Sequence, residues 1–473
     1  MPEKLKKLFK DHFKEEVTDL TPLAAHGSNR EYFRITNSNR SIIGSKNQDR
    51  LENEAFISFS KHFKSKGLAV PEIFAEKLDD NIYLQQDLGN ETLFDYLLRV
   101  RKGKKEFPDE LLKAYEKVVE RLPEFQIKGG QGLDYSKSYP HHSFDRQSMM
   151  WDLNYFKYYF LKLAHVRFNE QKLEADFQTF TAFLLEADGQ HFLYRDFQSR
   201  NIMLKDGEPW FIDYQGGRQG ALQYDIASLL FDAKADLPFE VREHLLNKYL
   251  DAVGKLVPID KEVFTKHYYA FVLIRIMQAM GAYGYRGFYE RKTHFLQSIP
   301  YAIQNLEYLV RKVDLPIEIP VMMDVFTQLI QSSALREFGK ANLQLKIRIT
   351  SFSYKRGVPV DERGHGGGFV FDCRFLPNPG REIAYKQLSA NDQEVIDWFA
   401  DKPDMDRWLK RMFSMVDAAV NSYEEQNFTD LMISFGCTGG QHRSVHSANR
   451  LAAHLRETHD VDVVLHHREL VDK

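Results

Sequence analysis

The stretch YRDFQSRN sets an aspartate, Asp196, five residues ahead of an asparagine, Asn201, and a second aspartate, Asp213, closes the run PWFID shortly afterwards. Phosphoryl transfer from ATP needs such a set: a carboxylate to accept a hydroxyl proton, and an amide with a second carboxylate to hold Mg²⁺ against the phosphates. The D-x4-N spacing followed by an aspartate is the order that this chemistry uses. Asp206-Gly207 reads as a two-residue hairpin turn, which would bring Asn201 and Asp213 side by side. An isolated D-x4-N would be read as loop residues satisfying turns. Here the flanking strands, the turn and the trailing aspartate agree.

A second candidate lies in LMISFGCTGGQHRSV, where Cys437 and Arg443 stand six apart. That is the Cys-x5-Arg-Ser spacing of cysteine-dependent phosphatases. The pattern predicts a strand, a glycine-bearing loop and a helix, whose backbone N–H groups converge on an anion. Cys437, Thr438, Gly439, Gly440, His442, Arg443 and Ser444 are therefore expected to bind phosphate. Nucleophilic attack by Cys437 would further require a depressed thiol pKa and a general acid. Gly436 occupies the place where such enzymes usually carry a histidine, so a binding loop is the reading.

These residues need two frameworks. From about residue 21 to 88 the pattern is strand-rich, broken by one amphipathic helix, ENEAFISFSKHFKSKG, closed by Gly67. AHGSNREYFRI reads as a turn between two strands, SIIG as a third and IYLQQDL as another. Beyond Asn90 the chain is helical, interrupted by the segment that carries Asp196 and Asp213. Near residues 332–343 the pattern changes to strands alternating with helices. The expectation is a small β-lobe and a larger helical lobe over residues 1–338, then a smaller α/β domain over 343–473. Within the helical part, Trp151, Asp152, Asn154 and Tyr155 combine an aromatic with polar groups, as a sugar acceptor pocket does. HGGG, ending at Gly368, reads as a turn before a strand.

The chain has 473 residues, enough for two or three domains, and is 43% apolar and 28% charged. Net charge is -3, and from Lys340 onward 18 basic residues face 19 acidic ones. Neither half has the basic excess of a protein that binds RNA through its bulk field. Two cysteines make no disulfide framework and point to a cytoplasmic setting, and the absence of a long apolar window predicts no membrane span. Oligomeric state is not legible.

FLYRDFQSRNIML and FIDYQGGRQGALQYDIASLLFD resemble the catalytic core of the aminoglycoside phosphotransferase-like family, and within it the anomeric kinases of N-acetylmuramate and N-acetylglucosamine. The resemblance spans about residues 10 to 335. It implies an α+β protein-kinase-like bilobal fold, ATP and Mg²⁺, Asp196 as base, and Asn201 with Asp213 as metal ligands. It further implies that Gly27, Ser28, Asn29 and Arg30 cover the nucleotide, that Glu54 supports the site, and that Asp87 belongs to the hinge strand. No Ala-x-Lys occurs in the third strand, and Lys46 is expected past its end. FVFDCRFLPNPGR with ISFGCTGGQHRSV resembles the C-terminal domain of the RNase adaptor RapZ, from about Lys346 onward. This second resemblance implies a sensor of an amino-sugar phosphate such as glucosamine 6-phosphate, with Asp372, Arg374 and Asn378 lining the same pocket as the cysteine loop. Two further readings are a regulatory or RNA-binding adaptor that uses the kinase fold as scaffold, and a kinase paired with a Cys437-dependent phosphatase.

Overall fold

The computed structural model of the chain describes residues 2–23, 30–102, 104, 106–290, 292–338, 345–360, 368–425 and 430–470. The chain divides into two compact units, Met1–Tyr285 with Ser298–Gly339, and Arg286–Gln297 with Lys340–Lys473.

The first unit opens with helix α1 (Pro2–Phe13), whose Leu5 and Phe9 lie one turn apart and are fully buried. They pack on Ile35, Ile42, Ile82 and Leu84 of a five-stranded antiparallel sheet. Its strands are β1 (Asp19–Pro22), β2 (Glu31–Thr36), β3 (Ser41–Lys46), β4 (Ile73–Lys77) and β5 (Ile82–Gln86), in the order β1-β2-β3-β5-β4. The sequence pattern gives only four of these. The fifth, β4, is an edge strand without full burial on either face, so it lacks the alternation that betrays a strand. Helix α2 (Arg50–Ser65) follows β3, capped by Asp49, whose side chain accepts from the N–H groups of Leu51 and Glu52. Gly67, at φ +76°, ends that segment.

The rest of the unit is mostly helical. The long helix Lys261–Tyr283 is buried on nearly every side, which accounts for its apolar residues all round. Two short ladders interrupt the helices. β6 (His191–Leu193) pairs with β9 (Arg218–Gly220), a strand that the sequence pattern misses, and β7 (Ile202–Lys205) pairs with β8 (Glu208–Phe211).

The second unit is built on a four-stranded parallel sheet, ordered β11-β12-β10-β13, from β10 (Lys346–Ser353), β11 (Phe369–Asp372), β12 (Asp430–Cys437) and β13 (Asp462–His467). Every residue of β12 from Leu431 to Cys437 is buried, as expected of a parallel strand covered on both faces. The helices Gln393–Ala400, Pro403–Glu425 and Arg443–Thr458 complete it, with Ile347, Ile349, Val416, Ile433 and Leu451 in one core. Gly368 precedes β11 and the remainder of HGGG lies outside the described residues. Among the described residues no helix is long and apolar enough to cross a membrane, and Cys373 and Cys437 are free thiols.

Candidate functional site

The loop after β6 is held from beneath by a buried carboxylate. Asp225 accepts from the backbone N–H groups of Tyr194 (2.8 Å) and Arg195 (3.0 Å) and from the Gln126 amide (3.0 Å). Burial pushes the Asp225 carboxyl up and the three donors pull it back towards the charged form, leaving it raised to about 7. Tyr194 is fully buried and donates its hydroxyl to the Ile212 carbonyl (2.5 Å), which ties this loop to the residue preceding Asp213.

The turn at Asp206 (φ +54°) and Gly207 (φ +75°) joins β7 to β8 with Lys205 opposite Glu208. Both residues take the left-handed conformation that a tight hairpin turn demands. Across the hairpin, Asn201 Nδ2 donates to Asp213 Oδ2 (3.1 Å) and to the Asp196 carbonyl (2.8 Å). The three residues singled out by spacing thus meet in one hydrogen-bonded chain. Burial and the neighbouring Asp196 carboxylate push the Asp213 carboxyl up, opposed by Gln215 and by Arg30. Among the described residues no group of three or more His, Cys, Asp or Glu is placed to hold a metal. Mg²⁺ does not need one, since it is commonly bound by one or two side chains together with waters and substrate phosphates. Asn201 and Asp213 offer such a pair.

Residues assigned to the nucleotide fare unevenly. Gly27, Ser28 and Asn29 lie outside the described residues. Glu54 does not reach the site: its carboxylate pairs with Arg50 (2.9 Å) one turn earlier. Glu52 takes the inward position instead, 3.1 Å from Arg30 Nη2 and 3.2 Å from Gln215 Nε2, which also donates to Asp213 (2.7 Å). A signal for this was present, because Glu52, Phe56, Phe59 and Phe63 fall on one helical stripe. The Asp87 carboxylate is engaged by Arg34 (2.7 Å) and Ser41, so it fastens β2 and β3 to the end of β5. Lys46 lies within β3, not past its end, and sits 3.4 Å from Glu31.

The acceptor residues divide as well. Asp152 is buried and grips Arg195 bidentately (2.7 and 2.6 Å), so its carboxylate is not offered to a ligand. Trp151 is 47% exposed, edge-on to His141. Asn154 is half-buried on the same helix, Arg146–Phe156. Tyr155 packs beside Tyr159 and Tyr285. Gly281 permits this packing, since a Cβ there would meet the Tyr155 ring at 2.7 Å.

In the second unit, the loop after β12 folds back on its own cysteine. Cys437 is 2% exposed, and its Sγ accepts from the Gly440 N–H (3.1 Å) and lies 3.1 Å from the Ser444 hydroxyl. Gly440 has φ +70°. A Cβ at Gly436 would lie 2.5 Å from the rings of Phe352 and Tyr354, so a histidine cannot stand there. Arg443, 6% exposed, donates to the Arg374 carbonyl (2.6 Å) and to Thr438 Oγ1 (3.4 Å), joining the two motifs. It has no carboxylate partner among the described residues, and its Nε has no hydrogen bond there. His442 is engaged by the Tyr385 carbonyl (3.0 Å). Asp372 pairs with Arg374 (2.7 Å), which lies over the Tyr354 ring, and Asn378 caps the turn at Gly380 (3.2 Å).

One residue on the helix behind this loop sets a pH dependence. His446 stacks on Phe399 at 4.4 Å, and burial, with Arg450 nearby, pushes its imidazole down to about 4. The fold thus holds the neutral ring, whereas the unfolded chain takes up a proton near pH 6.5. Stability should be full above pH 6.5 and fall as pH drops towards 4, by roughly 2–3 kcal/mol. Urea unfolding followed at pH 7 and pH 4.5 checks this, and His446→Phe should remove that part of the pH dependence.

The loop and hairpin that bring Asp196, Asn201 and Asp213 together lie in one unit with a five-stranded sheet, and a parallel α/β unit is built mainly from the residues after 340. The chain belongs to the phosphotransferase enzyme family, which it matches over residues 19–261, and its residues 345–471 match the RapZ C-terminal domain. It is 35% identical over 143 residues to a nucleotide-binding protein of Hahella chejuensis, covering 30% of this chain and 48% of that one. With a nucleotide-binding protein of Dinoroseobacter shibae it shares 42% identity over 127 residues, 27% of this chain and 41% of that one. The chain therefore spans about half or less of the length of these curated relatives. Among solved structures, choline kinase from Cryptosporidium parvum Iowa II aligns at TM-score 0.47 and 12% identity, over 69% of this chain and 100% of that one. Aminoglycoside phosphotransferase APH(4)-Ia aligns at TM-score 0.43 and 14% identity, over 66% of this chain and 100% of the other.

Proposed function

We propose that the chain is an ATP- and Mg²⁺-dependent kinase of an amino sugar, joined to a domain that binds a phosphorylated amino sugar. The observation that carries the first half is the Asp196–Asn201–Asp213 chain of contacts at the β7–β8 hairpin. Asp196 would orient the acceptor hydroxyl and take its proton, and Asn201 with Asp213 would hold the metal against the phosphates. When bound, Mg²⁺ supplies charge neutralisation on the transferring phosphoryl group. Residues 1–338 form the kinase domain in this reading and 343–473 the ligand-binding domain.

An N-acetylated amino sugar, phosphorylated at its anomeric hydroxyl, is the acceptor supported by the motif resemblance. The exposed ring of Trp151, with the half-buried Tyr155 one turn along the same helix, suits such a ring. In the second domain, Arg443 at the head of a helix, held without a carboxylate among the described residues, suits the phosphate of an amino-sugar phosphate. Cys437 belongs to the loop as an acceptor of the Gly440 N–H, and its burial argues against nucleophilic work. Asp372, Arg374 and Asn378 belong to the neighbouring motif that Arg443 fastens to the loop.

The test of the kinase half is ATP turnover against N-acetylmuramate, N-acetylglucosamine, glucosamine, choline and kanamycin. Turnover is expected on the N-acetylated sugars. Turnover confined to choline or kanamycin would refute the acceptor assignment. No turnover with ATP still bound would leave the fold as a scaffold. For the second half, glucosamine 6-phosphate at 100 times its Kd should stabilise its binding domain by about 2.7 kcal/mol, and Arg443→Ala should remove the effect. No thermal shift in the unmodified chain would overturn that assignment.

A further inference from the structure

The third strand lacks the lysine that, in protein kinases, pairs with a helix glutamate and faces the nucleotide phosphates. β3 has Ser45 at its inward-facing position, fully buried. Ser45 stands opposite Tyr32 on β2 and opposite Tyr83 on β5, so these three side chains share one face of the sheet. Lys46, the next residue, points to the other face.

Arg30 sits over this patch. It enters from the residue before β2, is 4% exposed, and its Nη1 donates to the Tyr32 hydroxyl (3.4 Å). Its guanidinium lies 5.7 Å from the centre of the Phe56 ring on α2. Its Nη2 meets Glu52 Oε1 at 3.1 Å, on the same helix. Gln215 then bridges Glu52 to Asp213, with 3.2 Å to the first and 2.7 Å to the second. A cation, a helix carboxylate and the candidate metal-binding aspartate are thereby linked through one amide. A guanidinium is charged at all working pH values and presents a planar fork suited to phosphate oxygens.

We propose that Arg30, reaching from the start of β2, replaces the missing strand lysine as the cation that binds the nucleotide phosphates, and that Glu52 holds it there. The proposal rests on the kinase reading, and it assigns the phosphate charge to a residue on a different strand. Arg30 would be a binding residue and Glu52 a positioning residue.

The test is calorimetric titration of the full chain with Mg²⁺-ATP and, separately, with adenosine, which carries no phosphate. Arg30→Gln removes the charge and leaves a shorter, polar side chain. It should weaken ATP by about 10- to 100-fold, the scale of a charged hydrogen-bonded contact, and leave adenosine unchanged. Adding Ser45→Lys to that variant puts a cation back over the same patch and should recover ATP affinity. Glu52→Gln, which leaves Arg30 in place without its anchor, should also weaken ATP selectively, and it carries the test if Arg30→Gln does not fold by thermal unfolding. An equal loss of ATP and adenosine, or no loss of either, in folded variants would overturn the proposal. An unmodified chain that binds neither ligand would overturn the kinase reading itself.

Discussion

Asp196→Ala is expected to lower ATP-dependent phosphotransfer by about 10²–10⁴-fold, the usual contribution of a positioned general base, with little change in thermal stability. The Asp196 backbone carbonyl is used, accepting from Asn201. Its side chain forms no ion pair among the described residues and lies 3.8 Å from where a Cβ at Gly216 would stand. The carboxylate adds only a minor Coulomb attraction to the buried Arg195 and Arg218, so little stability is lost with it. One repulsion is relieved, because the Asp196 charge is among the causes that push the Asp213 carboxyl up. The variant should bind Mg²⁺-ATP at least as well as the unmodified chain while failing to turn it over. Steady-state turnover, calorimetric ATP binding and a melting curve separate these effects. Turnover at the unmodified rate would exclude Asp196 as the base, and lost ATP binding would mean that it serves the nucleotide.

Asp152→Ala should behave in the opposite way, costing about 3–5 kcal/mol of stability, as expected when one partner of a buried ion pair is removed. Asp152 and Arg195 are both largely shielded, and their contacts are bidentate. A second buried cation depends on the same carboxylate. Burial and the neighbouring Arg195 push the Arg218 guanidinium down to about 10, and Asp152 counteracts both. Truncation strips two enclosed positive charges of the carboxylate they share and leaves them the weaker attraction of Asp196. Arg195 also holds φ +81° immediately before Asp196, so its release would loosen the catalytic loop. Urea unfolding should show the loss, and kcat should fall with it more than the acceptor KM rises. Near-unmodified stability with a raised acceptor KM would return Asp152 to the acceptor pocket.

The contrast between these two aspartates marks what is legible in sequence. Asp196, Asn201 and Asp213 lie within eighteen positions of one another, joined by short strands and an Asp-Gly turn. Local geometry is enough to bring them together, so spacing carries the information. The cysteine loop is similar, because strand, glycine-bearing loop and helix N-terminus are consecutive. The partner of Asp152 is 43 positions away, and nothing local distinguishes a carboxylate that binds a ligand from one that neutralises a buried arginine. Edge strand β4 escaped because its side chains are not fully covered on either face.

Sequence alone thus determined the loop that carries Asp196 and Asn201, the hairpin beside it, the strand–loop–helix around Cys437 and the change from helices to strands alternating with helices, since each is encoded by neighbouring residues. Only the tertiary structure decided which glutamate of α2 turns inward, and that Arg30 reaches Tyr32 and Glu52 while Lys46 pairs with Glu31. Positions 52 and 54 are two apart on a helix and therefore point to nearly opposite sides. The choice between them is made by what packs beneath Phe56, Phe59 and Phe63. The charge over β3 is likewise fixed by registers across three strands, Tyr32 to Ser45 and Ser45 to Tyr83, which exist only once the sheet has formed.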